Sequence, residues 1–104
     1  MKVEWSALAE RRALQAVDYI AKDRPLAAAA WLDELIARVG GLDRLARRGR
    51  VVPEIGHTAY REIFHAPYRI IYRVEPGRIL LLTLRHSRRG WDPAELPVES
   101  REHR

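Results

Sequence analysis

Residues 66–89 read APYRIIYRVEPGRILLLTLRHSRR, and this stretch decides the fold. Two runs, 68–74 and 79–85, are rich in aromatic and branched aliphatic residues, which favour β-strands. Between them lies EPGR at 75–78, whose proline and glycine are typical of a tight turn. We therefore predict a β-hairpin. Because its second run is almost entirely apolar, we expect that strand to lie inside the sheet with both faces buried.

Side chains alternate across the first strand of this hairpin. One face carries only aromatic and aliphatic side chains: Tyr68, Ile70, Tyr72 and Val74. The other face carries Arg69, Ile71 and Arg73. The first set is suited to a core beneath helices. Two buried arginines without partners would be too costly, so we expect the second face to be at least partly open to solvent.

Further arginines surround the hairpin: Arg61 in the preceding strand, Arg85 at the end of the last strand, and then Arg88 and Arg89. The alternation of side chains thus predicts a basic surface on the side of the sheet that the helices leave uncovered. One interpretation is a binding surface for phosphates or for an acidic partner. The alternative is an ordinary solvated strand face, on which Glu62 and Glu75 act as local partners of the arginines.

The residues before the hairpin predict two helices. Over 7–22 the polar residues share one face and alanines dominate the other, with Ser6 as a natural N-cap. A second apolar stripe runs over 25–47, and Gly40 and Gly41 within it predict a kink or a short break. Two adjacent amphipathic helices joined by a short turn form a helical hairpin.

Three shorter segments complete the predicted order β-α-α-β-β-β. Residues 2–5 can form an edge strand, and 60–65 form the strand before the central hairpin. Residues 51–56 are extended, but Pro53 argues against a central strand there. We predict an α+β fold in which the helical hairpin packs on one face of a small antiparallel sheet.

The chain of 104 residues is expected to form a single domain over 1–96, followed by a polar, disordered tail over 97–104. It has no cysteine, which excludes disulfides and thiolate metal sites. No apolar run approaches the length of about 18 residues that a membrane helix needs. An apolar signal segment does not follow the first five residues either, so we expect a cytoplasmic protein.

The net charge is +5, and Lys2 and Lys22 are the only lysines. A basic small domain commonly meets nucleic acid, an acidic protein or an anionic membrane. A GC-rich genome would also favour arginine over lysine, but it would not explain the positive net charge.

Catalytic constellations are hard to assemble from this sequence. His86 lies beside the arginines and could serve as a base in RNA cleavage, although a lone histidine there is more often a surface residue. His57, His65 and His86 do not have the spacing of metal ligands, and no glycine-rich phosphate loop is present, so we expect neither a metal nor a cofactor. Trp91 can pack back on the sheet or remain exposed as a contact residue, and we favour packing.

Six segments, in their order along the chain, resemble the ParE/RelE superfamily of bacterial toxins. They are Trp5-Ser6 before the first helix, DYIAKD at 18–23 followed by Pro25, VPE at 52–54, YRE at 60–62, PYRIIYRV at 67–74 and LRHSRR at 84–89. The resemblance covers about residues 3–92, and the predicted element order agrees with the fold of that superfamily. It implies the toxin of a type II toxin–antitoxin system, also called a plasmid stabilisation system.

The superfamily resemblance implies one of two activities. RelE-like toxins cut mRNA in the ribosomal A site with basic residues, and Arg61, Arg69 and Arg88 match that pattern, with His86 standing in for a C-terminal histidine. Ile63 and Ala94, however, occupy positions where that pattern has a basic residue and a tyrosine. The motifs are therefore closer to ParE, which inhibits DNA gyrase and for which we expect no catalytic residues. The ribosome-dependent endoribonuclease remains the alternative.

Both activities imply the same partner, an acidic antitoxin segment that folds as it binds the toxin in a hetero-oligomeric complex. DNA gyrase is the expected target, and the ribosome with mRNA is the alternative. No membrane partner is expected. The residues expected to bind the antitoxin or the target are Arg61, Arg69, Arg73, Arg85, His86, Arg88, Arg89 and Trp91.

Overall fold

A computed structural model describes residues 2–96 of the chain. The elements are strand β1 (Lys2–Trp5), helices α1 (Ala7–Ala21) and α2 (Pro25–Gly40), a 3-10 turn (Gly41–Asp43), strands β2 (Arg50–Val51), β3 (Tyr60–His65), β4 (Tyr68–Glu75) and β5 (Arg78–His86), and a second 3-10 turn (Pro93–Glu95). The predicted disordered tail, 97–104, lies outside the described residues. No helix within 2–96 combines the length and the apolar character that crossing a bilayer requires.

The strands form one sheet in the order β1-β5-β4-β3-β2. The predicted α+β class and the central hairpin are confirmed, and β5 lies inside the sheet as expected. The expectation of a fully antiparallel sheet is wrong at one edge, because β1 pairs with β5 in parallel. No short turn links these two strands, so nothing local dictates their relative direction. The two-residue β2, which pairs with β3, was not predicted either.

A β-bulge in β5 decides which side chains face the helices. Ile71 pairs with Thr83 and Tyr72 pairs with Leu81, so Leu82 is an extra residue between them. The bulge shifts the alternation by one position beyond Leu82. As a result, Leu84 packs into the core under the helices and Arg85 turns to the opposite face.

The main core lies between the sheet and the helical hairpin. Alanines of α1 allow the backbone to approach the sheet closely, while α2 contributes larger side chains. The buried set comprises Ala9, Ala13, Ala16, Trp31, Leu35, Val39, Leu42, Ile63, Ile70, Tyr72, Val74, Ile79, Leu81 and Leu84. These include three of the four side chains predicted for the helix side of β4, and partly buried Tyr68 packs against the same cluster.

A second, smaller core covers the opposite face of the sheet. It comprises Val52, Ala59, Tyr60, Ile71, Leu82 and Leu96, with Ile55, Leu80, Leu8 and Trp91 packed against it. The segments before β3 and after β5 fold back over this face. The expectation that the face is open to solvent is therefore wrong, whereas the predicted packing of Trp91 on the sheet is confirmed.

Ser6 fastens the start of α1 to the sheet. Its hydroxyl oxygen accepts a hydrogen bond from the backbone N–H of Ala9 at 3.0 Å, as expected of an N-cap. The same hydroxyl donates to the backbone oxygen of Leu82, the extra residue of the bulge, at 2.9 Å. One side chain thus satisfies a free helix donor and a bulge carbonyl.

Replacing Ser6 with alanine is expected to lower the free energy of unfolding by about 0.5–2 kcal/mol, because the cap and the bond to Leu82 are both lost. Urea denaturation followed by circular dichroism measures the change. Ser87→Ala, at an exposed turn position, is the control and should be nearly neutral. Equal stabilities for the two variants would contradict the capping role.

The helical hairpin is fastened at its other end by Trp31 of α2. Its indole N–H donates to the backbone oxygen of Ala66 at 2.8 Å. The backbone oxygen of Trp31 in turn lies 3.0 Å from Nε2 of buried His65. These two bonds hold the middle of α2 against the turn between β3 and β4.

The predicted break at the glycine pair is confirmed, since α2 ends at Gly40 and a 3-10 turn follows. The expectation that the helical segment extends to residue 47 is wrong. The next segment is instead pinned to the core by Tyr72, whose hydroxyl donates to the backbone oxygen of Ala46 at 2.8 Å. The same hydroxyl accepts from the N–H of buried Gly49 at 3.0 Å.

Candidate functional site

Arg69 lies on the sheet face away from the helices, and two carboxylates occupy its guanidinium. NH1 and NH2 each donate to a different oxygen of Glu54 at 2.7 Å, which makes a bidentate pair. Nε donates to the carboxylate of Glu62 at 3.1 Å. Only 11% of the Arg69 side chain is exposed. The guanidinium is therefore engaged inside the protein.

This ion-pair cluster shifts the pKa of Glu54 and of Arg69. The hydrogen bond from Arg69 lowers the pKa of the Glu54 carboxyl, and this outweighs the opposing effect of burial. The bonds to Glu54, and then those to Glu62, raise the pKa of Arg69. Glu54 and Arg69 are thus held in their ionised forms at neutral pH.

The other two arginines on this face are also paired. Arg73, with 7% of its side chain exposed, forms an ion pair with Glu75 and lies over the ring of Tyr60 at 5.9 Å. Arg85 lies 3.2 Å from a carboxylate oxygen of Glu95. Its Nε is buried without a hydrogen-bond partner among the residues that the structure describes.

Acidic partners therefore neutralise the arginines of this face locally. The interpretation of Glu62 and Glu75 as local partners is confirmed. Two further partners, Glu54 and Glu95, were missed. They lie in irregular segments that fold over the sheet, where alternation within a strand gives no information about neighbours.

The depressed pKa values of these carboxyls predict how stability depends on pH. Glu54, Glu75 and Glu4 each have a pKa below the ordinary 4.5 in the folded chain, chiefly through hydrogen bonds from arginines, which in Glu75 overcome the effect of burial. A carboxyl with a lowered folded-state pKa stabilises the fold above its unfolded-state pKa, and that contribution is lost as pH falls through the folded-state value.

We therefore expect the free energy of unfolding to fall as the pH drops below about 4.5. Urea titrations from neutral pH to about pH 2 measure the effect. Glu54→Gln should be less stable at neutral pH and should show a weaker acid dependence than the wild type. Glu34→Gln, at an exposed position of α2, is the matched control. An acid dependence in Glu54→Gln that matches the wild type would contradict the assignment.

Arg61 faces the opposite way. It pairs in register with Tyr72 on the helix side of the sheet. Its Nε donates to the backbone oxygen of Thr58 at 2.8 Å, and NH1 donates to that of Gly49 at 3.2 Å. Arg61 therefore tethers the two loops that flank β2.

The four residues of the nuclease alternative do not converge on one site. Arg61 and Arg69 lie on opposite faces of the sheet, as their cross-strand partners show. His86 pairs with Tyr68, four positions along β4 from the partner of Arg61, which corresponds to roughly 13 Å along the strand. Only His86 and Arg88 are neighbours, and the backbone N–H of Arg88 donates to Nδ1 of His86 at 3.2 Å.

A cleft of about 440 Å³ lies where α1 passes the end of β5. We call it the α1–β5 cleft. Its lining comprises Arg12, Gln15, Ala16, Tyr19, Tyr68, Leu84, Arg85, His86, Arg88 and Arg89. None of these ten residues is acidic. The cleft is the place where Arg85, His86, Arg88 and Arg89, four of the residues expected to bind a partner, come together.

Aromatic rings form one wall of the α1–β5 cleft. The rings of Tyr68 and His86 meet edge to face with centroids 5.5 Å apart. Burial raises the pKa of the Tyr68 hydroxyl, Tyr19 raises it further, and Arg89 opposes the shift. Tyr19 is 62% exposed. The lining thus combines arginine cations and hydroxyl donors with apolar ring surface.

The contribution of α1 to this cleft was missed in the sequence. Arg12 and Gln15 belong to the polar face of the helix, and polar residues there usually just meet solvent. Tyr19 gives no clear signal either, because single exposed apolar side chains are common on helices, as Leu14 and Leu26 show. No group of three or more histidine or acidic side chains that could hold a metal ion occurs in residues 2–96.

Two helices on one face of a five-stranded mixed sheet, with a basic cleft at the helix–strand junction, define a small α+β domain. Residues 3–91 match the family described as "ParE toxin of type II toxin-antitoxin system, parDE", and the chain belongs to that family.

Among the solved structures similar in fold to this chain is one whose title reads "Chromosomal ParDE TA system from P. aeruginosa". It superposes with a TM-score of 0.70 at 19% identity, over 83% of this chain and 95% of the other. At that identity the likeness shows the fold alone. A comparison with curated protein sequences gives no match.

Proposed function

We propose that this toxin acts in the cytoplasm as an inhibitor of DNA gyrase, and that an acidic antitoxin neutralises it. Membership of the ParE family is the observation that carries the proposal. It supports a toxin that works by binding a protein target rather than by cutting RNA itself.

The state of Arg69 favours gyrase over the ribosome. A ribosome-dependent nuclease of this superfamily would use Arg69 to stabilise the charge that develops on the scissile phosphate. Here Glu54 and Glu62 already hold that guanidinium, and the pair is largely buried. Releasing it for a phosphate would leave the buried Glu62 with the exposed Arg50 as its remaining ion-pair partner, which is costly. Arg61 and His86 also lie far apart along the sheet, which argues against a single nuclease site.

The charge of the chain supports the antitoxin as partner. A toxin of net charge +5 attracts an acidic segment, and electrostatic complementarity of this kind raises the rate of association. The proposed complex is hetero-oligomeric. Because Arg69 and Arg73 are paired internally, we place the contact with the antitoxin at the unpaired arginines and not on the sheet face.

The test is a supercoiling assay with purified DNA gyrase and plasmid, run beside a translation reaction whose mRNA is read by primer extension. We expect blocked supercoiling or trapped cleaved DNA, together with intact mRNA. Cleaved mRNA in the ribosomal A site with normal gyrase activity would overturn the proposal. It would instead assign catalysis to His86 and Arg88, together with Arg69 in a conformation that releases its guanidinium from Glu54 and Glu62.

A further inference from the structure

The arginines of this chain fall into two groups. Those of the sheet face and the sheet edge are each within ion-pair distance of a carboxylate: Arg50, Arg69, Arg73, Arg78 and Arg85. Arg12, Arg88 and Arg89 have no carboxylate within that distance anywhere in residues 2–96. All three line the α1–β5 cleft. Seven other arginines of residues 2–96 also lack such a partner, but they do not line the α1–β5 cleft: Arg11, Arg24, Arg38, Arg44, Arg47, Arg48 and Arg61. The cleft is therefore a concave place at which three uncompensated positive charges meet.

The remaining lining suits a peptide side chain. The exposed ring of Tyr19 supplies apolar surface at the cleft, above the buried Ala16 and Leu84. Neutral hydrogen-bond donors stand beside the arginine guanidinium groups: the hydroxyls of Tyr19 and Tyr68 and the amide of Gln15. Arginine and tyrosine are also the residue types that dominate binding energy at protein interfaces.

A nucleic acid fits this cleft less well. Binding to a phosphate backbone needs several cations that follow successive phosphates. Here three arginines without an ion-pair partner converge, beside Arg85, on a single concavity of about 440 Å³ next to aromatic surface. A carboxylate side chain matches both features of the cleft, because its charged end suits the arginines and its methylene groups suit the aromatic surface. A bidentate arginine–carboxylate contact would then fix its orientation.

We propose that the α1–β5 cleft receives an aspartate or glutamate side chain from the acidic segment of the antitoxin. The proposal rests on the antitoxin partner of the proposed function and assigns the place of contact. The carboxylate meets Arg12 and Arg88, and the methylene groups of the incoming side chain lie on the exposed ring of Tyr19. Arg89 and the tyrosine hydroxyls supply further donors.

The experiment uses the full-length toxin and the protein encoded beside its gene as antitoxin, with affinity measured by biolayer interferometry at physiological salt. Arg12→Gln and Arg88→Gln remove one cation each from the cleft. Arg44→Gln removes an exposed arginine that does not line it and serves as the matched control. We expect each cleft variant to weaken binding by about 10- to 100-fold, as for the loss of a charge-assisted hydrogen bond, and the control to leave it nearly unchanged.

Other outcomes separate the site from the function. Wild-type binding that is weakened equally by all three substitutions, or by none, would overturn the cleft while leaving the antitoxin in place. If the wild-type toxin does not bind, both the antitoxin part of the proposed function and the proposed site are wrong. A labelled DNA duplex is the second probe. If its binding, and not that of the antitoxin, depends on Arg12 and Arg88, the cleft is a nucleic-acid site and the proposal is wrong.

Discussion

Gly49→Ala is expected to destabilise the native fold of the toxin. A β-carbon at this position would overlap the backbone oxygen of Glu62 and would lie 2.6 Å from the hydroxyl of Tyr72. Neither neighbour can give way cheaply. Glu62 O belongs to β3, and the Tyr72 hydroxyl is fixed by bonds to Gly49 and Ala46. Overpacking at a rigid site costs about 1–3 kcal/mol or more.

The measurement is the thermal unfolding midpoint, which should fall by roughly 4–8 °C for each kcal/mol lost in a domain of this size. Gly40→Ala is the matched control, because its β-carbon meets nothing within 4 Å and its backbone is helical. That control should be neutral or slightly stabilising, since alanine restricts the unfolded chain more than glycine does. A Gly49→Ala protein with an unchanged midpoint would contradict the packing of this loop.

Arg69→Ala is expected to lower the free energy of unfolding by about 3–5 kcal/mol, the usual cost of removing one partner of a buried ion pair. The substitution leaves Glu62, which is 5% exposed, with only the exposed Arg50 as a cationic neighbour. Glu54 loses its bidentate partner as well. Chemical denaturation measures the change, and Arg50→Gln, whose side chain is 67% exposed, is the control at about 0–1 kcal/mol.

A double variant separates charge from packing. Arg69→Met combined with Glu62→Met should recover much of the stability lost in Arg69→Ala, because apolar residues of similar volume can replace a buried ion pair. Loss of toxicity in Arg69→Ala should follow the loss of folded protein. A variant that keeps the wild-type unfolding midpoint but has no toxicity would contradict this explanation and would give Arg69 a direct role at the target.

The regular elements were predictable because their signals are local. The N-cap at Ser6, the glycine break after α2 and the β4–β5 hairpin each depend on residues close together in the chain. The alternation along β4 also assigned the helix-side core correctly. Local periodicity and turn chemistry are sufficient where the partner of a residue is a near neighbour in sequence.

The sheet face was interpreted wrongly because its cover is not periodic. Glu54 and Leu96 lie in irregular segments, and both contact that face only after the chain has folded back. The bulge at Leu82 adds a second difficulty, since it moves Arg85 to a face that simple alternation would not assign. The α1–β5 cleft likewise joins residues about 70 positions apart, such as Arg12 and His86, through tertiary packing that no local pattern reports.

The parallel pairing of β1 with β5 has a consequence for the timing of synthesis. Trp5 pairs with Leu81, which is made 76 residues later (81 minus 5). At a translation rate of 5–20 residues per second, the first strand waits roughly 4–15 s for its partner. During that interval the helical hairpin exists without the sheet that covers its apolar face. We therefore expect the nascent chain to expose the apolar face of the helical hairpin until the last strand has been made.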